Sequence, residues 1–319
     1  MNRRKFLATS GATIATAAAI NPLQAIAESD KRQIPGYGSL EANPQPITTA
    51  SNDLTEYTGT WGDRQIRHVL RRSTFGAKYS AFIAAQALGS MNAVVSKLLE
   101  DTALPPKPAD WAEKNYIPDR NSTQTEFQNL QRFNKYLEWS LQDWWLDLMM
   151  KEDLSIREKL TLMWSNHFVT GWDSVHFSGY MYAYNQMLRR NAMGNMKTMV
   201  SEMAVDGAML IYLNGNQNTY QVKNGKTINN VNENFARELM ELFTLGLLDP
   251  KTGEANYTET DIQQAAKALS GWAPATTFPF DGVLNAQLHN NETKTFFGQT
   301  GNFGMQDIIN MIFAKGGGY

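Results

Sequence analysis

Apolar periodicity at three- and four-residue steps constrains this fold more than any other feature. Phe127, Leu130, Leu137, Leu141, Trp144 and Leu148 recur at that spacing and put one apolar face on a long helix. Similar patterns predict helices over 63–73, 78–100, 155–169, 175–192, 196–213 and 232–245, and from Thr258 through Leu269. Strict apolar–polar alternation, the mark of half-buried strands, is scarce. The expected fold class is all-α: an irregular multi-helix bundle with a long N-terminal extended arm.

Boundary residues refine the pattern. Ser155 and Glu158 have the spacing of a capping box ahead of Leu160, Met163 and Trp164, with Ile156 on the same apolar face, and Thr258 with Asp261 marks a second helix start. Gly215 and Gly246 are placed to end helices in the left-handed conformation. Pro105, Pro106, Pro108 and Pro118 make 101–125 an irregular crossing, and 273–304, rich in Asn, Gly, Thr and Phe, reads as loop with at most a short hairpin. Ile308, Ile309, Met311 and Ile312 open a last apolar helix just before Tyr319. Its face is expected to lack a partner, so the natural domain is expected to continue beyond this chain.

The first residues form an address. Arg3-Arg4 followed by Phe6-Leu7 matches the twin-arginine export pattern. A weakly apolar stretch over 8–20 and the small–x–small run Ala25-Ile26-Ala27 complete a signal peptide over 1–27. Residues 28–61 read as an extended linker or arm and 62–319 as the helical domain. The expected location is the periplasm or the exterior, with no membrane span in the mature chain.

Charge and residue counts exclude several functions. Without residues 1–27 the chain holds 26 basic against 31 acidic residues, a poor match to a nucleic-acid backbone. The cluster Arg64, Arg67, His68, Arg71 and Arg72 is too short to reverse that. There is no cysteine, which removes disulfides, thiol catalysis and zinc–thiolate centres. Only His68, His167, His176 and His289 offer imidazoles.

Several segments carry a resemblance. They are His68-Val-Leu-Arg-Arg-Ser-Thr-Phe-Gly76; Arg157-Glu158 through Ser165-Asn-His-Phe168; Asn214-Gly-Asn-Gln-Asn218; Asn232 through Glu241-Leu-Phe-Thr-Leu-Gly246; Tyr257-Thr-Glu-Thr-Asp261; and Ala268-Leu-Ser-Gly-Trp272. In this order they closely resemble the bacterial family known as domain of unknown function 1800. The resemblance implies an exported helical protein, often encoded beside a second exported family that resembles sulfatases and alkaline phosphatases. It implies no activity. Many relatives carry histidine where this chain has Ser165 and Phe243, so two imidazoles of the common pattern are missing.

The candidate site residues follow from these segments. His167 falls on the apolar face of its helix, either as a ligand or general base or as a packed histidine bonded to a carbonyl or carboxylate. Glu238 and Glu241 share a polar strip with Asn234, and Arg237 lies four residues from both Glu233 and Glu241. Either they form a salt-bridge ladder, or Glu238 and Glu241 face His167 as a bundle-core site. Asn216 and Asn218 offer carbonyls of the kind hard cations accept, although turn formation explains them more simply. A divalent metal is admissible and not favoured. Trp139, Trp144, Trp145, Trp164 and Trp172 are concentrated in one region, where aromatic platforms or core packing are alternatives. Two functions follow: an accessory binding scaffold of the cell envelope, or a periplasmic hydrolase using His167, Glu238 and Glu241.

Overall fold

The computed structural model describes residues 57–108 and 121–315. The expected signal peptide, most of the expected arm and part of the proline-rich crossing lie outside the described residues.

The fold is mostly helical, with twelve α-helices among the described residues. The first, α1 (Asp63–Ser73), buries Ile66 and Leu70 and exposes its basic cluster. It packs with α2 (Tyr79–Ala87) and α3 (Met91–Leu98) around Phe82, Ala85, Val94 and Leu98. The single helix expected over 78–100 is thus two. Gly89 has φ +73, and the Ser90 side chain accepts the Ala93 N–H, so one helix stops and another is capped within two residues.

Next comes α4 (Gln124–Lys151), the longest helix, opened by a capping box between Thr123 and Glu126. It buries Leu137 and Leu141 but leaves Phe127 exposed, so the predicted apolar face is only partly covered. The next helix is α5 (Arg157–His167). The expected Ser155–Glu158 box does not form. Ser155 Oγ accepts the Arg157 N–H, the Glu158 N–H goes to Glu152, and the Glu158 side chain turns inward instead. After the short α6 (Trp172–Val175), α7 (Ser178–Asn191) runs through the centre and buries most of its residues. Asn134 ties α4 to the start of α7, accepting the Ser178 N–H at 3.2 Å and, through its carbonyl, the Ser178 hydroxyl at 2.5 Å.

The helix expected over 196–213 is broken at Asp206, which has extended backbone (φ −63, ψ 132) and caps the following turn. This gives α8 (Met196–Val205) and α9 (Gly207–Tyr212). Asn214, not Gly215, takes the left-handed conformation (φ 57). Gly215 is needed for space: a Cβ there would lie 2.8 Å from the Phe235 ring. Helix α10 spans Asn234–Glu241, Gly246 is left-handed as expected (φ +75), and α11 (Glu259–Ala268) carries the predicted Thr258–Asp261 capping box.

Small sheets correct the all-α expectation. Among the described residues, three two-stranded antiparallel ribbons pair β1 (Thr219–Lys223) with β2 (Lys226–Asn230), β3 (Trp272–Pro274) with β4 (Gly282–Leu284), and β5 (Lys294–Phe296) with β6 (Gln299–Gly301). Asn224 and Gly225, both at positive φ, make the two-residue turn whose twist suits the first hairpin. Finally α12 (Met305–Lys315) buries Met305, Ile308, Ile309 and Ile312 in the main core, against α8 and α11. Its apolar face therefore has a partner, contrary to expectation. No described helix is long and apolar enough to cross a membrane.

Candidate functional site

His167 ends α5 half-buried among Trp164, Phe168 and Phe243. Its Nε2 lies 3.1 Å from the Phe243 carbonyl, just beyond the end of α10. That bond joins α5 to the loop after α10, with the ring wedged between aromatic neighbours.

On α10, Phe235, Leu239 and Met240 face the core, and Glu238 and Glu241 are half-buried at its edge. Glu241 is 3.4 Å from the Tyr257 hydroxyl. Arg237 reaches Glu233 at 3.4 Å and forms a paired contact with Glu259, the first residue of α11. Arg237 thus keeps the Glu233 rung of the expected Glu233–Arg237–Glu241 ladder and adds a tie to α11, which the periodicity of one helix cannot reveal. Asn234 donates to the Leu213 carbonyl at 3.1 Å. Among the described residues, no group of three or more His, Asp or Glu is placed to hold a metal ion.

The Asn214–Asn218 segment is a structural joint. Asn218 is buried and donates to the Ala266 carbonyl at 2.8 Å. Its side-chain oxygen accepts the Asn232 N–H, and its backbone carbonyl accepts the Gly271 N–H. Asn216, half-buried beside it, has a side-chain oxygen with no hydrogen-bond partner among the described residues.

This joint supports a second polar centre that the sequence did not reveal. His289 Nδ1 lies 2.8 Å from the Ser270 carbonyl, and Ser270 Oγ accepts the Asn290 N–H. Gly271, at φ +84, lets the two segments approach, since a Cβ there would meet Asn285 O and His289 N at 2.9 Å. The Tyr220 N–H donates to the Leu288 carbonyl, fastening this loop along β1. Between them runs a groove of about 410 Å³ lined by Tyr220, Gln221, Gln287, His289, Asn291 and Glu292. The Tyr220 hydroxyl donates to Glu292 at 2.6 Å, with Asn290 a second donor at 3.2 Å. These bonds hold the Glu292 carboxyl below its usual range and push the Tyr220 phenol up, so Glu292 is an anion at neutral pH. Behind the wall, Lys294 is buried, with its ammonium on the Asn290 and Glu292 carbonyls.

The profile of a family described as "Protein of unknown function (DUF1800)" matches residues 68–316. The chain belongs to DUF1800. No curated protein and no solved structure matches it.

Much of what identifies the chain as DUF1800 serves to join its elements. In the Arg157-Glu158 segment, Glu158 forms a bidentate pair with Arg189 of α7, at 2.6 and 2.8 Å, where the two side chains are 7% and 0% exposed. Trp145 of α4 donates to the same carboxylate at 2.8 Å, and Arg189 also donates to Asn185 at 2.6 Å. Arg157, equally buried, pairs with Asp101 and the Thr102 carbonyl. The Asn214–Asn218 and Ser270–Trp272 segments of the DUF1800 chain meet at the joint behind the His289 groove.

Proposed function

We propose that this DUF1800 chain is an exported, non-catalytic binding scaffold of the cell envelope. The supporting observation is an aromatic surface on α4: Phe133 is 40% exposed, Tyr136 49% and Trp139 56%. Large rings held outward on a rigid helix suit recognition of a partner or polymer. Three of the candidate site residues, His167 from the catalytic set and Arg237 and Asn234 from the binding set, support the same reading. His167 is engaged by a backbone carbonyl, Arg237 by two glutamates and Asn234 by another carbonyl. Phe243, where many relatives carry histidine, sets its ring 6.2 Å from that of His167. An aromatic hydrocarbon thus fills the place of a second imidazole.

Export rests on Arg3-Arg4 and Phe6-Leu7. The resemblance adds a co-encoded exported sulfatase- or phosphatase-like protein as a candidate partner. The test is co-sedimentation of the full-length chain with isolated envelope fractions, alongside assays on ester, glycoside and peptide substrates. Binding that falls in the double variant Phe133→Ser, Trp139→Ser, with no turnover, supports the scaffold. Turnover that disappears in Glu238→Gln overturns it in favour of the hydrolase.

A further inference from the structure

The geometry points to the groove between β1 and residues 286–292 as a binding site for a neutral saccharide, with His289 Nε2 and the Glu292 carboxylate as hydrogen-bond acceptors. This deepens the scaffold reading by naming a ligand class and a site remote in sequence from the α4 aromatics.

The first argument is construction. His289 sits in a segment without regular secondary structure, yet Ser270, Gly271 and β1 fix it through separate bonds. With Nδ1 donating to the Ser270 carbonyl, the neutral imidazole presents Nε2 as a lone-pair acceptor. The Glu292 carboxylate is held by Tyr220 and Asn290, and its charge is retained at neutral pH. Two acceptors on the same wall are therefore positioned before any ligand arrives, which lowers the entropic cost of binding.

The second argument is chemical complementarity. Gln221, Gln287 and Asn291 add carboxamides, each both donor and acceptor. Val222 and Ala286 give the groove apolar surface beside the Tyr220 ring. A sugar has matching features, because its hydroxyls both donate and accept while its C–H faces pack on apolar or aromatic surface. The groove volume, about 410 Å³, lies within the usual range for small-molecule sites.

The third argument excludes other ligands. A phosphate or sulfate ester would meet the Glu292 anion, and among the described residues no lysine or arginine lines the groove. Lys267 stands 4.0 Å from Glu292 and partly neutralises it, while the Lys294 ammonium is turned to backbone carbonyls. Among the described residues, a metal ion would find one imidazole and one carboxylate, short of the three ligands that a protein site needs.

The experiment uses the full-length chain on an array of neutral, phosphorylated and sulfated oligosaccharides, followed by calorimetry with the best neutral probe. Gln287 and Asn291 are exposed, so Gln287→Ala and Asn291→Ala should leave the melting temperature unchanged. Each should weaken binding of the neutral probe by about tenfold, the effect of losing one buried hydrogen bond. Glu292→Gln keeps the shape of the wall and removes an acceptor charge, and it should weaken binding at least as much. Preference for phosphorylated or sulfated probes, or affinity unchanged in all three variants, overturns the proposal. If no saccharide binds while envelope co-sedimentation persists, the groove assignment fails and the scaffold stands. If a bound saccharide is hydrolysed, the scaffold reading fails and the groove stands.

Discussion

Removing Glu158 or Arg189 tests whether the junction of α4, α5 and α7 holds the fold together. The pair is bidentate and nearly solvent-free, and Trp145 and Asn185 complete its hydrogen bonding. Solvent does little to screen it at that depth. Arg189→Met strands a buried carboxylate, and Glu158→Leu strands a buried guanidinium. Either change should cost about 3–5 kcal/mol, the range for breaking a buried ion pair. At about 2–4 °C per kcal/mol for a domain of this size, the melting point should fall by roughly 6–20 °C. The double variant carries no stranded charge. It leaves the Trp145 N–H and Asn185 carbonyl short of a partner, at about 1–3 kcal/mol each, but should be no less stable than either single variant. Urea titrations of wild type, both singles and the double close the cycle. Singles that lose under about 1 kcal/mol, or a double that loses the sum of both, would refute the reasoning.

Burial raises the Asp206 carboxyl to about 7. The folded state thus keeps a proton that the unfolded chain releases, and this contribution to stability is lost as pH rises from about 4 to about 7. Asp206→Asn retains an acceptor for the Met209 N–H, so it should match wild type near pH 4 and exceed it near pH 8. Parallel melting-point profiles across that range would show that Asp206 does not titrate there. Gly271→Ala places a Cβ 2.9 Å from Asn285 O and His289 N at φ +84, and should cost about 1–3 kcal/mol in thermal unfolding. An unchanged melting point would mean that the loop is not held against Gly271. Replacing Arg3 and Arg4 together with lysine should leave a longer precursor in the cytoplasm, visible by immunoblot of fractions. Normal amounts of mature protein outside would remove the twin-arginine assignment.

Local chemistry was legible in the sequence where it was sufficient to set the structure. The α1 boundaries, the Thr258–Asp261 cap and the left-handed Gly246 required only periodicity or one backbone preference. Legibility falls where a local turn signal competes with a longer helical period. Gly89-Ser90 splits the predicted second helix, and Asn224-Gly225 is a strong hairpin turn between two short polar strands. It failed where distant residues compete. Glu158 has the spacing of a capping residue, yet burial beside Arg189 claims its carboxylate, because a buried guanidinium without a partner costs more than a missing cap. Arg237 likewise adds a pairing with Glu259 of α11, which the spacing within α10 does not show, to its contact with Glu233.

His289 shows why the groove was harder to find than the fold. The histidine is nineteen residues beyond Ser270, in a stretch with no period, and its position depends on backbone bonds to Ser270, Gly271 and Tyr220. The available signals were indirect: the rarity of histidine in this chain and a Ser-Gly pair directly after a helix. The Ser-Gly pair lies in a segment that also carries the DUF1800 resemblance. Asn218 joins that segment to the Asn-rich loop through the Gly271 N–H and the Ala266 carbonyl. The motifs of the resemblance thus include residues that assemble the frame of the groove, while Gln221, half-buried, and the exposed Gln287 and Asn291 line its walls.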